Sequence, residues 1–254
     1  VTHPTASWKT CAEQAVSVVD RVTSTQGPAV EQAAELIATA IAGGAIVQAF
    51  GTGHSRSLAQ EFTGRAGGLL PVNMLAVKDL VMFGDTNPKE ILDPLCERDP
   101  SLAERILGLA EVDPRDIFVI ASQSGGNGVI VEMAALARAR GHKVVAITSL
   151  EHSRRITSRH PSGKRLFELA DVVIDNCGFY GDASVALPDG AATAPMSTIA
   201  GAVIVQMIVT EVCGRLLEKG VRPPVMVSNN VPEGDAHNAQ LWQQFGDRVR
   251  PVEP

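Results

Sequence analysis

Two short stretches carry residues able to do chemistry on a small anionic ligand. Residues 122–128 read SQSGGNG. Ser122, Gln123 and Ser124 bring polar side chains, Gly125 and Gly126 let the backbone come close to a ligand, and Asn127 stands where a helix should begin. Hydroxyls and successive N–H groups at a helix N-terminus form a nest suited to one dianionic phosphate. The second stretch, residues 49–61, reads AFGTGHSRSLAQE. Here Gly51, Thr52, Gly53, His54 and Ser55 form a small polar turn after an apolar run, and Glu61 rides on the helical segment leaving it. A dinucleotide fingerprint is incomplete, because Arg56 stands where the third glycine belongs and no acid follows at the ribose position. No GxxxxGK[ST] phosphate loop occurs either.

The elements that must position these stretches follow from periodicity. Residues 8–25 and 29–42 show helical spacing, broken by Gly27-Pro28. Short apolar runs at 45–50, 70–75, 117–122, 144–148 and 171–176 read as strands, and a helical pattern at 129–140 ends at Gly141. Nearly continuous apolar strands alternating with helices indicate a parallel sheet covered on both faces. The reading is α/β: one doubly wound, five-stranded parallel sheet in one domain of 1–254, with an N-terminal helical hairpin (1–44), a sheet-and-helix core (45–220) and a tail (221–254) that completes the site. The final RVRPVEP reads as loose. Ligands in such sheets bind beyond the carboxyl ends of the strands. Three of those ends carry small polar residues: GTGHS, SQSGGN, and Thr148 with Ser149.

Composition excludes several classes. The chain of 254 residues has a formal net charge of −6, which argues against general nucleic-acid binding. Residues 151–165 form one basic run without interleaved aromatics, read as a solvated loop from which Ser153 or His152 could line a pocket and attract an anion. The four cysteines show no CxxC spacing, and the start shows no secretory pattern, so the expected setting is cytoplasmic. Residues 197–217 are apolar but carry Gln206, Glu211 and Arg215, so they read as a buried helix and not a membrane span. With no HxH, HExxH or Cys/His cluster, no metal is expected.

With these motifs in place, FVIASQSGGNGVIVEMAALARARGHKVVAITS resembles the SIS (sugar isomerase) domain, whose hallmark is a strand, a Ser-x-Ser-Gly phosphate loop, a helix and a strand. FGTGHSRSLAQEFTGRAGG is similar to that domain's first strand, glycine loop and helix. With SNNVPEGDAHN near the end, the chain resembles single-domain bacterial SIS proteins related to N-acetylmuramic acid 6-phosphate etherase and phosphoheptose isomerase. The resemblance implies a sheet of flavodoxin-like order, a homodimer or higher oligomer, and a phosphosugar partner. It assigns Ser122, Ser124 and Asn127 to the phosphate loop, Asn127 replacing a common Thr. It assigns Gly51, Thr52, Gly53, His54 and Ser55 to the sugar side. Relatives place a catalytic Glu on the helix after the first loop, about one turn later than Glu61.

In an open-chain N-acetylhexosamine 6-phosphate the C1 aldehyde acidifies the C2 proton, and a carboxylate beside it can act as general base. Proton delivery to C1 isomerises the sugar; expulsion of the C3 substituent is a β-elimination of water or lactate. Neither needs a cofactor. Glu61 is the expected base, Glu132 the second candidate, and His237 in the tail the expected acid, serving its own or a neighbouring subunit. His3, His142 and His160 read as surface residues. The leading expectation is a lyase or dehydratase on an N-acetylamino-sugar 6-phosphate such as N-acetylglucosamine 6-phosphate. An aldose–ketose isomerase comes second and a non-catalytic sugar-phosphate sensor third.

Overall fold

A computed structural model describes residues 6–251. In chain order the helices are α1 (Trp8–Thr25), α2 (Gly27–Ala42), α3 (Arg56–Phe62), α4 (Asp79–Met82), α5 (Pro88–Ile91), α6 (Ser101–Gly108), α7 (Gly128–Ala139), α8 (Leu150–Ser153), α9 (Ser197–Glu218) and α10 (Gly234–Phe245). The strands are β1 (Val47–Gly51), β2 (Val72–Leu75), β3 (Ile117–Ala121), β4 (Lys143–Thr148), β5 (Val172–Asp175), β6 (Ala183–Ala186) and β7 (Ala192–Pro195). Strands β1–β5 make one parallel sheet of order β2-β1-β3-β4-β5, the flavodoxin-like order that the resemblance implied.

Side chains alternate across a strand, so each strand feeds two cores. Val47, Ala49, Val119, Ala121, Val145 and Ile147 face α1, α2, α3 and α9. Phe50, Phe118, Ile120, Val144 and Ala146 face α6 and α7. Covering on both faces explains the unbroken apolar runs of the sequence. Ser7 caps α1 by accepting from the Thr10 amide at 3.2 Å. At the helix junction, the Gln26 side chain accepts from the Asp175 amide at 2.9 Å and ties the hairpin to the end of β5. Helix α9 is long and apolar enough to cross a membrane by length and composition alone. Its residues Ala200, Ile204, Ile208 and Val212 are buried in the core instead.

Several elements depart from the expectations. The antiparallel β6–β7 hairpin has no apolar run to announce it; its residues are mostly Ala, Ser and Thr. The three non-glycine residues with positive φ among those described, Cys177, Asp182 and Ala194, all lie between β5 and α9. Asp182 uses its strained turn to receive the Met196 and Ser197 amides and the Ser197 hydroxyl, capping α9. The C-terminal segment expected to be loose is anchored as far as Arg250. Arg248 pairs with the buried Asp116 at 2.5 Å, Arg250 pairs with Asp79 at 3.2 Å, and Val249 between them is buried. Residues 252–254 lie outside the described residues.

Candidate functional site

Parallel register sets Gly51 beside Ala121, Ala121 beside Ile147, and Thr148 beside Asp175. The chain leaving each strand therefore gathers Thr52, Ser122, Ser149 and Asn176 at one edge. The 3₁₀ turn Gly53–Ser55 follows β1, and Ser55 accepts from the Gln123 amide at 3.4 Å, joining the glycine turn to the serine loop.

The serine loop is shaped by its own side chains. Ser122 accepts from the Gly125 amide at 3.1 Å, and Ser124 is placed to accept from the Gly126 amide at 3.5 Å. Gly125 adopts φ +62°, and a β-carbon there would stand 3.0 Å from both Ser153 Oγ and Thr148 Oγ1. Only glycine suits that geometry. Ser124 and Asn127 are half-buried. The Gln123 side chain is fully engaged elsewhere: its amide donates to Phe179 O at 3.2 Å and accepts from Asn176 at 2.7 Å. Gln123 is thus tied into the loop at a position where a ligand contact was expected. The same holds for Thr148, whose hydroxyl donates to Gln123 O at 3.4 Å, and for Ser149, whose hydroxyl donates to Gly178 O at 2.8 Å and caps α8. Ser153 is buried behind Gly125, and its hydroxyl has no partner among the described residues.

A carboxylate that sequence reasoning missed stands at the glycine turn. Glu97, in the short 3₁₀ turn Cys96–Arg98, accepts the Thr52 hydroxyl at 2.7 Å through Oε2. The same oxygen lies 3.6 Å from the position of a Gly53 β-carbon. Glu97 is half-buried and His54, next to Gly53, is exposed. Burial, with Glu97 and Asp93 nearby, holds the adjacent Cys96 thiol above its ordinary value.

The other expected acid–base groups have partners of their own. Glu61 Oε1 receives Arg65 and, at 2.6 Å, the Gln206 amide of α9. Glu132 of α7 is bound by His160 at 2.6 Å. His237 Nε2 donates to Val225 O, 2.8 Å away, and the ring lines a cleft with Ile41, Ala42 and Gly44, which precede β1. That is the amino edge of the sheet. The five residues of β1 alone span about 17 Å, so His237 does not reach the serine loop of its own chain. His142 and His160, read as surface residues, are both enclosed. His142 is buried against Phe118 and bonded to Asp116 O at 2.9 Å, and the His160 side chain is 11% exposed. His3 lies outside the described residues. His152 is half-buried, receives the Gly181 amide at 2.9 Å and stacks on Tyr180. Burial pushes it below the ordinary imidazole value, against the opposing charge of Asp182. Among the described residues no three His, Cys, Asp or Glu side chains gather where they could hold a metal ion.

Residues 11–149 match the family model described as SIS domain. The chain belongs to the SIS-domain family. A UPF0309 protein of Geobacillus kaustophilus is 36% identical over 220 residues, 86% of either chain. A UPF0309 protein of Caldanaerobacter subterraneus subsp. tengcongensis is 36% identical over 242 residues, 94% of this chain and 97% of its own. Among solved structures, the SIS fold of this chain is similar to a phosphoheptose isomerase from Francisella tularensis. There the TM-score is 0.55 and the identity 18%, over 80% of this chain and 95% of that one. A putative phosphosugar isomerase involved in capsule formation from Bacteroides fragilis gives a TM-score of 0.53 and 22% identity, over 82% and 89%. At these identities the likeness is one of fold.

Proposed function

We propose that this SIS domain is a phosphosugar enzyme in which the serine loop holds the phosphate and Glu97 takes the proton from C2 of the open-chain sugar. The carrying observation is the place of Glu97. Thr52 fixes one carboxylate oxygen at 2.7 Å beside Gly53, where the missing side chain leaves room, and the other oxygen has no hydrogen-bond donor among the described residues. A positioned carboxylate of this kind is the minimal general base for chemistry beside a carbonyl.

The C2 substituent decides the fate of the carbanion. With an acetamido group at C2, the electrons of the broken C2–H bond form C2=C3 and expel the C3 oxygen, which leaves as water or an alcohol after taking a proton. His54, in the same turn, is the acid within reach of this arrangement. That continuation, a dehydratase or etherase acting on an N-acetylamino-sugar 6-phosphate, is the first reading, supported by the resemblance of both loops to the etherase side of the family. With a hydroxyl at C2, the same base returns the proton to C1 and the product is a ketose. The phosphoheptose and phosphosugar isomerases that share this fold favour that second reading.

The reaction is read by product mass. Incubation with N-acetylglucosamine 6-phosphate should give loss of one water; loss of lactate from N-acetylmuramic acid 6-phosphate marks an etherase. An unchanged mass with a new keto signal from a 2-hydroxy aldose phosphate marks the isomerase. No change in any of the three overturns the proposal. A homodimer or higher oligomer in the cytoplasm is part of the same reading, since only a second subunit can bring His237 to a serine loop. Sedimentation showing a monomer at assay concentration would remove His237, the acid expected from the sequence, as an alternative to His54.

A further inference from the structure

The basic run expected to be a solvated loop is built onto the serine loop. From its three-residue stretch Arg159-His160-Pro161 outward, its backbone contacts serve that end. The Arg159 amide donates to Gly126 O at 2.9 Å, and the Leu166 amide donates to Gly125 O at 2.8 Å. Arg159 Nη1 reaches Asn127 Oδ1 at 3.4 Å. Ile156 fills the space a side chain on Gly126 would need. The run also closes on itself: Ser158 donates to Lys164 O at 2.6 Å and accepts from the His160 amide at 3.1 Å.

In a trans peptide the C=O of one residue and the N–H of the next point to opposite sides of the chain, and no cis peptide occurs among the described residues. Holding Gly125 O toward Leu166 turns the Gly126 N–H the other way. Holding Gly126 O toward Arg159 does the same to the Asn127 N–H. The run therefore turns the Gly126 N–H toward the Ser124 hydroxyl, 3.5 Å away, whose own proton stays available to a ligand, and turns the Asn127 N–H away from the cover. Without it, glycine peptides are free to rotate and the nest loses its alignment.

The run is fastened to helix α7 at one side-chain contact. His160 Nδ1 lies 3.1 Å from the Ser162 amide, whose proton it accepts, and 2.7 Å from Ser162 Oγ. That fixes the ring hydrogen on Nε2, which donates to Glu132 Oε2 at 2.6 Å. Glu132 sits on the first turns of the helix that the serine loop opens, so the contact locks cover and nest into one frame.

We propose that the His160–Glu132 pair positions the serine loop: it fastens the 154–166 cover that sets the Gly125 and Gly126 peptides and so aims the Ser124 hydroxyl and the Asn127 amide at the phosphate. This rests on the serine loop being the phosphate site. His160 is a positioning residue and touches no substrate.

The experiment measures how inorganic phosphate raises the urea midpoint, which yields a dissociation constant by linkage. It compares the wild type, His160→Ala, Glu132→Ala, the double variant and His160→Gln. Each alanine variant should raise the dissociation constant about tenfold, the worth of one strong hydrogen bond. The double variant should add nothing further, and His160→Gln should recover most of the affinity because its amide can still donate to Glu132. A purely structural role would lower every midpoint without phosphate and leave the constant unchanged, which overturns the inference. Additive losses in the double variant overturn it too. A wild type whose midpoint does not respond to phosphate overturns the phosphate site itself, and the inference falls with it. Should His160→Ala not fold, Glu132→Ala and His160→Gln decide between the same outcomes.

Discussion

The carbonyl oxygen of Arg98 occupies the place where a β-carbon on Gly128 would fall. Gly128 opens α7 immediately after the serine loop, and Arg98 follows Glu97. This close approach sets the carboxylate-bearing turn against the helix that carries the phosphate nest. Two segments remote in sequence are thereby brought into one site.

Gly128→Ala must push the two apart. The affected atom is backbone, which cannot swing aside as a flexible side chain would. We expect the variant to fold with a loss of about 1–3 kcal/mol, the usual cost of overpacking a tight contact. Turnover of the substrate identified by product mass should fall much more than phosphate affinity. Equal stability and turnover in Gly128→Ala, measured by urea unfolding and initial rates, would separate the two segments.

The assignment of the base is tested by contrast. Glu97→Gln keeps the shape and the Thr52 contact but cannot take a proton, so kcat should drop at least about a hundredfold, the lower end of general-base contributions. Phosphosugar affinity should change little. Glu61→Gln should cost less, because Arg65 and Gln206 already occupy its carboxylate. If Glu61→Gln proves the more damaging of the two in a correctly folded protein, Glu61 is the base, as the sequence led us to expect.

How much of this site can be read along the chain depends on the range of each signal. Strands buried on both faces write themselves as apolar runs, and the serine loop is a contiguous string of residues with a local purpose. Glu97 has no such string. It lies in CERDP, where the visible local signal is Asp99, which caps Ser101 at 2.9 Å. The relation to Thr52 exists only once β1, the β2–β3 crossover and α7 are assembled. His142 escapes a local reading for the same reason, since its burial depends on the Asp116 carbonyl and Phe118. The tail RVR lies in a turn and bend, and locally it offers only two charges flanking one apolar residue. Its partners, Asp116 and Asp79, are invisible without the sheet.

Those partners make the tail a stability element. Asp116 is wholly buried and receives the Ile46 and Asp113 amides, the Gln48 side chain and Arg248. Arg248→Ala removes the counter-charge and leaves the hydrogen bonds. The cost should be about 1–3 kcal/mol, below that of a fully orphaned ion because the other donors remain. Urea unfolding checks this; a change under about 0.5 kcal/mol, the ordinary surface range, would make the tail dispensable.

Stability should also vary with pH through His152. Burial holds the folded-state pKa of this imidazole below the ordinary 6.5, so the native protein takes up the proton less readily than the unfolded chain. The unfolded state then binds more protons, and stability rises with pH across the interval between the two values. Its contribution is fully present above about 6.5, the unfolded value, and is lost as pH falls through the folded-state value. The hydrogen-bond pattern points the same way: Nδ1 accepts the Gly181 amide at 2.9 Å, and protonation removes that acceptor. His152→Gln replaces the ring with a group that does not titrate. The variant should be less stable at pH 8, having lost the stacking on Tyr180, yet its stability should fall less steeply between pH 7 and pH 5. Urea midpoints across that range give the two slopes, and parallel slopes would show that His152 does not couple folding to protonation.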